Sequence, residues 1–209
     1  LASLRQRILV SETPRAGWTP YASSVSAASS TFEAARTRAD DEALIFFTSG
    51  TTGLPKMVLH TQASYGIGHE VTGRFWLDLQ PGELHWNISD TGWAKAAWSS
   101  LFGPWVCGAT LFVRHMVGKF DPRDTLQTLA DFPVTTFCAA PTIYRMLVQQ
   151  DLSGFRPLAL RHCVAAGEPL NPAVIATWKE ATGLTIRDGY GQTETVLLCG
   201  NFPGCEVRQ

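Results

Sequence analysis

The stretch "VTTFCAAPTIYRMLVQQD" (134–151) carries the clearest fold signal in the 209-residue chain. Its first seven residues form an apolar run with the length of a buried strand. In the remainder, Ile143, Met146 and Leu147 share one face of a helix. A second strand candidate, "LRHCVAA" (160–166), follows. A strand, a helix and a strand in this order predict a βαβ unit, in which the two strands are parallel.

The same alternation of strands and helices continues on both sides of this unit. Further strands are predicted at 43–48, 83–89, 109–115, 184–190 and 195–200. Further helices are predicted at 93–106, after Asp121, and from Asn171 to Gly183, where a glycine suits the helix end. Asp121 and Asn171 are residue types that cap helix N-termini, and each precedes a proline, which suits the first helical position. The sequence therefore predicts an α/β fold with a layered, mostly parallel sheet and flanking helices.

Charge and hydropathy narrow the class of protein. The chain has 17 basic and 18 acidic residues, so its formal net charge is -1 and it lacks the basic excess typical of nucleic-acid-binding proteins. Residues 96–113 are uncharged, but Ser99, Gly103, Pro104 and Gly108 interrupt them. A helix, a turn and a strand explain this segment better than a transmembrane span.

Four loops with unusual residues each follow a predicted strand. They are "TSGTTGLPK" (48–56), "DTGW" (90–93), "GEPL" (167–170) and "GYGQTE" (189–194). In open α/β sheets, ligands bind at the carboxyl ends of the strands. If the strands are parallel, all four loops lie at one edge of the sheet, which is then the expected binding site.

The first loop has the chemistry of a phosphate-binding segment. Gly50 and Gly53 allow close approach of the backbone, and Lys56 adds a positive charge. The hydroxyl groups that can donate to phosphate oxygens belong to Thr48, Ser49, Thr51 and Thr52. The loop matches neither G-x-x-x-x-G-K-[ST] nor G-x-G-x-x-G, so a flexible surface loop is the alternative interpretation.

The remaining loops are less specific. In "GYGQTE", Tyr190 can present its ring to a base, Thr193 can bond a phosphate or carboxylate oxygen, and Glu194 is a hard oxygen ligand suited to Mg²⁺. The alternative is a turn with a solvated carboxylate. "GEPL" also fits an ordinary turn, and Asp90 in "DTGW" also fits a helix cap.

Taken together, these segments resemble the adenylate-forming superfamily of acyl-CoA synthetases, luciferases and peptide-synthetase adenylation domains. "TSGTTGLPK" and "GYGQTE" carry the resemblance. "HWNISDTGWAK", "FCAAPTIYRMLVQQD" and "HCVAAGEPLNP" are similar to mitochondrial medium-chain acyl-CoA synthetases in particular. The resemblance implies that residues 43–203 are a central part of the large AMP-binding domain, that 1–42 are a poorly structured or peripheral segment, and that 204–209 are a divergent tail.

The resemblance also implies a reaction and its participants. ATP and a medium-chain fatty acid, or a similar carboxylic acid, form an acyl-adenylate, and coenzyme A then forms the thioester.

The implied residues for the β- and γ-phosphates are Thr48, Ser49, Gly50, Thr51, Thr52, Gly53, Leu54, Pro55 and Lys56. Those implied for the adenosine and α-phosphate are Gly167, Glu168, Pro169, Asp188, Gly189, Tyr190, Gly191, Gln192 and Thr193. Lys56, Thr193 and Glu194 are the implied catalytic residues, with Glu194 as the Mg²⁺ ligand. Trp93, Ala96, Ala97, Leu101 and Phe102 are candidates for the acyl pocket.

In this family a ribose-binding aspartate, a hinge and a lid domain with a catalytic lysine come after the matched region, and none of them is found in residues 1–209. We therefore expect the chain to be inactive alone. A non-catalytic, nucleotide-binding regulatory product and an aryl-acid CoA ligase are the alternatives. The family also implies a location in the mitochondrial matrix. The preferred acid and the oligomeric state stay open.

Overall fold

The computed structural model describes residues 4–49, 53–116 and 118–207. The chain divides into two compact units, Leu1–Thr37 and Arg38–Gln209. The first unit contains a pair of short parallel strands, β1 (Ile8–Leu9) and β2 (Thr19–Pro20), and helix α1 (Tyr21–Ala27). None of its described residues is buried, so this unit has no core of its own.

The second unit contains the main sheet. Its described strands are β3 (Glu42–Thr48), β4 (Lys56–Thr61), β5 (Leu84–Ile88), β6 (Thr110–Leu111), β7 (Thr136–Ala139), β8 (His162–Ala166), β9 (Ile186–Gln192) and β10 (Val196–Gly200). Six of them form one sheet in the order β10-β9-β8-β7-β5-β6. Strands β5 to β9 are parallel, whereas β10 is antiparallel to β9. The predicted α/β fold with a mostly parallel sheet is confirmed.

Helices connect the strands. The described ones are α2 (Gln62–Val71), α3 (Ala94–Ala97), α4 (Gly103–Val106), α5 (Pro122–Asp131), α6 (Pro141–Leu147) and α7 (Pro172–Thr182). A π-helical segment, Thr72–Trp76, continues α2, and a second one, Trp98–Phe102, joins α3 to α4. The predicted helix at 93–106 is therefore one helical run with a π-helical middle. No helix in the described part of the chain is both long and apolar enough to cross a membrane.

The predicted caps begin and end their helices as expected. The Asp121 carboxylate accepts hydrogen bonds from the backbone N–H groups of Arg123 and Asp124 at the start of α5. The Asn171 side chain accepts from the backbone of Ala173 at the start of α7. Gly183 ends α7 with a φ of 76°, a left-handed conformation that glycine adopts without strain.

The buried face of α6 differs from the predicted one. Pro141, Tyr144 and Leu147 are its buried residues, whereas Ile143 and Met146 are partly exposed. The Tyr144 ring decides the orientation, because it packs between Phe137 of β7 and Trp178 of α7, with ring centroids 5.6 and 5.5 Å away. These aromatic residues form the centre of the core between the sheet and the helices.

Three predicted strands need correction. The run 43–48 is a strand, but β3 pairs with β4 in an antiparallel hairpin outside the parallel sheet, and its Phe47 is 69% exposed. Strand β6 has two residues, because it pairs with β5 only at Leu84 and His85. Strand β9 continues through Gln192, since β10 pairs with it there, so much of "GYGQTE" is strand and not loop.

Candidate functional site

The parallel strands bring two of the four loops side by side. In the register of β8 and β9, Ala165 lies opposite Asp188 and Ala166 lies opposite Gly189. "GEPL" follows β8 directly, and the turn at 193–195 follows β9. "DTGW" follows β5, which runs in the same direction in the same sheet. Three of the loops therefore lie at the carboxyl edge of the sheet, where the topology of α/β folds favours ligand binding.

The loop "TSGTTGLPK" reaches this edge by a different route. It connects β3 to β4, and in the hairpin Thr48 lies opposite Lys56. His60 of β4 has a buried ring, and its Nε2 atom lies 2.6 Å from the backbone oxygen of Thr193. A carbonyl oxygen can only accept, so Nε2 carries the proton and donates it. This hydrogen bond attaches the hairpin to the turn of "GYGQTE".

A cluster of aromatic rings supports the hydrogen bond. It consists of Phe46 and His60 from the hairpin, Tyr65 and His69 from α2, and Phe102 from the second π-helical segment. Burial raises the pKa of Tyr65 to about 12 and lowers the pKa of His69 to about 4, so both side chains are neutral near pH 7. These packed rings hold the hairpin against the helices.

The phosphate-binding residues predicted from the sequence lie at the exposed end of the hairpin. Thr48 is half-buried, and the exposed ones are Ser49, Gly53, Leu54, Pro55 and Lys56. Gly53 has a φ of 106°, which a residue with a side chain would adopt only with strain. Gly50, Thr51 and Thr52 lie outside the described residues. The exposed hydroxyl group and the ammonium group of this end are accessible to a polyphosphate.

A cavity of about 200 Å³ opens between the loops. The predicted site residues that line it are Trp93, Gly167, Gly191, Gln192 and Thr193. Trp93 is 63% exposed and stands at the start of α3, so it lies at the solvent side of the cavity. Thr193 belongs both to the cavity wall and to the contact with His60. The cavity thus adjoins the hairpin that carries the predicted phosphate-binding residues.

The helical wall of the cavity consists of other residues than those predicted. Ala94, Lys95, Trp98 and Ser99 line it, at the spacing of one helical face. Of the residues predicted for the acyl pocket, Trp93 lines this cavity, whereas the other four do not: Ala96, Ala97, Leu101 and Phe102. Phe102 instead packs against Tyr65 and His69. The sequence interpretation missed Lys95, although a single charged residue next to an uncharged segment was a signal for it.

Glu168 has its carboxylate engaged away from the cavity. It accepts hydrogen bonds of 2.7 Å from the Thr142 hydroxyl and from the Arg145 guanidinium of α6. The Thr142 hydroxyl, followed by Arg145, lowers the pKa of Glu168. The carboxylate therefore anchors the "GEPL" loop to α6, and the backbone of Gly167 and Pro169 is the exposed part of the loop that remains for a ligand.

The segment from Asp188 to Gly191 has two glycines for steric reasons. A Cβ atom on Gly191 would lie 1.8 Å from the backbone oxygen of Val196, and one on Gly189 would lie 2.7 Å from the ring of Trp76. The Asp188 carboxylate accepts a hydrogen bond from the Asn201 amide at 2.5 Å. Tyr190 lies between the glycines and is 54% exposed, so its ring is accessible from solvent.

Glu194 is an exposed carboxylate on the turn after β9, next to Thr193. Within residues 4–49, 53–116 and 118–207 it has no hydrogen bond or ion pair, and no group of three or more His, Cys, Asp or Glu side chains is arranged to hold a metal ion. Mg²⁺ is usually bound by one or two carboxylates together with substrate phosphates. An exposed carboxylate beside the hairpin that carries the predicted phosphate-binding residues is compatible with that mode of binding.

Comparison with known proteins identifies the family of the chain. The family model described as "AMP-binding enzyme" matches residues 2–208. The chain belongs to the AMP-binding enzyme family. It is 50% identical over 206 residues to "Acyl-coenzyme A synthetase ACSM3, mitochondrial" of Homo sapiens. It is 49% identical over 206 residues to "Acyl-coenzyme A synthetase ACSM5, mitochondrial" of Mus musculus. Each alignment covers 99% of this chain and 35% of the relative, so the chain spans about a third of the length of these relatives.

Solved structures give the same family and the same fold. An anthranilate CoA ligase, AuaEII, in complex with anthranoyl-AMP matches 98% of this chain with a TM-score of 0.86 and 30% identity, and the match covers 40% of that protein. The acyl-CoA synthetase of Brucella canis matches 95% of the chain with a TM-score of 0.82 and 30% identity, over 36% of that protein. The resemblance to adenylate-forming enzymes and to mitochondrial acyl-CoA synthetases is confirmed.

Proposed function

We propose that this chain is the central part of an ATP-dependent acid–thiol ligase that activates a medium-chain fatty acid, or a similar carboxylic acid, for thioester formation with coenzyme A. The observation that carries the proposal is the hydrogen bond between His60 and Thr193. It brings the loop with phosphate-binding chemistry next to a cavity that has mixed apolar and polar walls. That combination suits a reaction between a carboxylate and a nucleotide.

The first half of the reaction is an in-line displacement. A carboxylate oxygen attacks the α-phosphorus of ATP, the bond to the β-phosphate breaks, and pyrophosphate leaves. The segment from Thr48 to Lys56 would hold the β- and γ-phosphates, and Lys56 would balance the charge of the leaving pyrophosphate. Thr193 would bond the α-phosphate or the carboxylate. Such a step depends mainly on positioning and on charge stabilisation.

The adenosine would lie along the two adjacent strand ends. The backbone of the segment 167–169 and the segment 188–190 would form the walls of the base site, with the accessible ring of Tyr190 against the base. Glu168 would contribute through its backbone, since Thr142 and Arg145 hold its carboxylate. The fixed loop would keep the base site rigid.

Glu194 would hold Mg²⁺ together with the phosphates. When bound, Mg²⁺ supplies positive charge against the polyphosphate. Glu194 needs no rearrangement of a partner to take this position, because its carboxylate makes no ion pair in the described part of the chain.

The second half of the reaction transfers the acyl group. The sulfur of coenzyme A attacks the acyl carbon, the bond from that carbon to the AMP oxygen breaks, and the thiol proton leaves to solvent or to a base. Trp93 stands at the solvent side of the cavity, where the thiol would enter. Because the relatives named above are called mitochondrial, we further propose that the protein acts in mitochondria, in the matrix.

A substrate screen on the full-length gene product tests the proposal. Pyrophosphate release and acyl-CoA formation are measured with ATP, Mg²⁺, coenzyme A and a series of acids: butanoate, hexanoate, octanoate, decanoate and benzoate. We expect both products, with an optimum among the medium-chain acids. An optimum at benzoate would favour an aryl-acid ligase. ATP binding without pyrophosphate release for any acid would favour a non-catalytic nucleotide-binding protein.

A further inference from the structure

Val196 has a backbone conformation that is unusual for its residue type. It is the first residue of β10 and follows the turn that carries Thr193 and Glu194. Its φ is 60°, in the left-handed region, where a β-branched residue is a genuine outlier. Residues strained in this way persist only where the surrounding structure fixes them, and they cluster at functional sites. The contacts of Val196 therefore show what the strain is for.

The side chain of Val196 packs against α2 at a glycine. It is 2% exposed, and a Cβ atom on Gly68 would lie 2.9 Å from its Cγ2 atom. The absence of a side chain at Gly68 thus leaves room for a methyl group of Val196. Burial of a valine side chain stabilises a fold by about as much as one strained residue costs, so this contact offsets the strain.

The backbone of Val196 closes the base of the turn. Its carbonyl oxygen lies against Gly191, where a Cβ atom would be 1.8 Å away, and it accepts a hydrogen bond of 3.3 Å from the Thr195 hydroxyl. The same hydroxyl accepts from the backbone N–H of Gln192 at 3.1 Å. Val196 and Gln192 are also partners in the register of β10 and β9.

The turn is attached to neighbouring elements at both of its ends. At the first end, His60 of β4 donates to the backbone oxygen of Thr193. At the second end, Val196 packs against Gly68 of α2, the helix that follows β4 in the chain. Glu194 lies between the two attachment points and is exposed. Its position therefore depends on both of them.

We propose that Val196 is a positioning residue, whose strained backbone and buried side chain hold Thr193 and Glu194 where the phosphates and Mg²⁺ bind. The proposal rests on the proposed ligase function, in which Thr193 bonds the α-phosphate or the carboxylate and Glu194 holds the metal ion. Without the side chain against α2, the second end of the turn is released. Displacement of positioned groups by about 1 Å lowers a rate by about 10²-fold.

Two substitutions in the full-length gene product separate strain from packing. Val196→Ala keeps a Cβ atom, and with it the strain, but removes the methyl groups that face α2. Val196→Gly removes both. Since glycine adopts a positive φ without strain, Val196→Gly should unfold at a higher temperature than Val196→Ala, the reverse of the usual order. If Val196→Ala does not fold, Val196→Gly decides the matter.

Both variants should change the use of ATP and Mg²⁺. In ATP–pyrophosphate exchange with octanoate, we expect kcat/KM for ATP to fall by about 10- to 100-fold and the Mg²⁺ titration to move to higher concentration. Isothermal titration calorimetry of ATP with Mg²⁺ gives a second measurement that does not depend on turnover, and the Kd should rise in both variants.

A rescue variant and a control show whether the effect is specific. In Gly68→Ala/Val196→Gly, the new methyl group on α2 points into the space that the valine leaves, so we expect part of the lost ATP and Mg²⁺ response to return. The control is Val134→Gly. Val134 is also fully buried, but it precedes β7 at the amino end of the sheet and has no positive φ. Its loss should lower the unfolding midpoint and leave the Mg²⁺ titration unchanged.

The outcomes distinguish the positioning role from the ligase function. If Val196→Gly matches the parent in exchange and in Kd, or if Val134→Gly shifts the Mg²⁺ titration equally, the positioning role is wrong and the ligase function stands. If the parent binds ATP with Mg²⁺ but catalyses no exchange with any acid, the ligase function fails, and a raised Kd in Val196→Gly still supports the positioning role. If the parent neither binds ATP nor catalyses exchange, both fail.

Discussion

His60 offers the sharpest perturbation of the site, because it contacts the Thr193 turn without lying among the residues proposed to touch the substrates. We expect His60→Leu to lower kcat/KM for ATP by about 10- to 100-fold, since displacement of positioned groups by about 1 Å typically has effects of that size. The ring is 5% exposed and its bond to Thr193 is 2.6 Å long, so the variant leaves a part-buried carbonyl oxygen unpaired. That loss costs about 1–3 kcal/mol, enough to release the turn from the hairpin.

The matched control is Tyr144→Phe. Tyr144 is also a buried ring that donates to a backbone oxygen, that of Phe137, but it lies in the core and not in the wall of the cavity. We expect the control to lower thermal stability and to leave the ATP kinetics unchanged. His60→Gln, whose amide keeps a donor, should recover part of the activity. The reasoning is refuted if His60→Leu and Tyr144→Phe change kcat/KM for ATP by the same factor, or if neither changes it.

Three further variants test single residues. Lys56→Ala should raise KM for ATP more than KM for the acid, because Lys56 is proposed to bind polyphosphate; steady-state kinetics that show a large rise for the acid alone would contradict this. Glu194→Gln should move the Mg²⁺ titration to higher concentration and lower the rate by about 10²–10³, and a titration that overlays the parent curve would exclude Glu194 as the ligand. His69→Phe should reduce the decrease in folding stability that the parent shows as pH falls. The pKa of His69 falls from 6.5 to about 4 on folding, so its contribution is full above pH 6.5 and is lost as pH falls towards 4, by up to about 1.4 kcal/mol per pH unit. If the unfolding midpoint of His69→Phe differs between pH 5 and pH 7.5 by as much as the midpoint of the parent does, this prediction is wrong.

Local signals were sufficient for much of the fold. The caps at Asp121 and Asn171 and the glycine at Gly183 define helix ends through contacts within a few residues, so the sequence alone predicts them. The parallel arrangement of β7, β8 and β9 follows from the alternation of strands and helices, since a helix between two strands favours a parallel crossover.

Strand pairing and other long-range contacts could not be predicted from local sequence in the same way. An apolar run such as 43–48 indicates a strand but not its neighbour, and β3 pairs with β4 and not with the main sheet. Helix α2 escaped prediction because Gly66 and Gly68 weaken its helical pattern, although its Thr61 capping box is local. A Cβ atom on Gly68 would lie 2.9 Å from the Val196 side chain, so a larger residue there would force that side chain to shift.

The candidate site also has features that the sequence predicts and features that it does not. The adjacency of "GEPL" and "GYGQTE" follows from the parallel strands, and the register of β8 and β9 confirms it. The contact between His60 and Thr193 joins residues 133 positions apart, so no local sequence pattern predicts it. Along the helical run 93–106, Lys95 and Trp98 line the cavity, whereas Ala96 and Ala97 do not, and the periodicity of the segment does not distinguish these two faces.

The transfer of ¹⁸O from the acid tests the central claim most directly. The full-length gene product is given ATP, coenzyme A and a carboxylic acid labelled with ¹⁸O in both carboxylate oxygens, and the AMP is analysed by mass spectrometry. Attack of the carboxylate on the α-phosphorus followed by cleavage at the acyl carbon leaves one labelled oxygen in AMP and one in the thioester. The account predicts singly labelled AMP and unlabelled pyrophosphate. Label in inorganic phosphate with ADP as the nucleotide product would mean attack at the γ-phosphorus, and would contradict it.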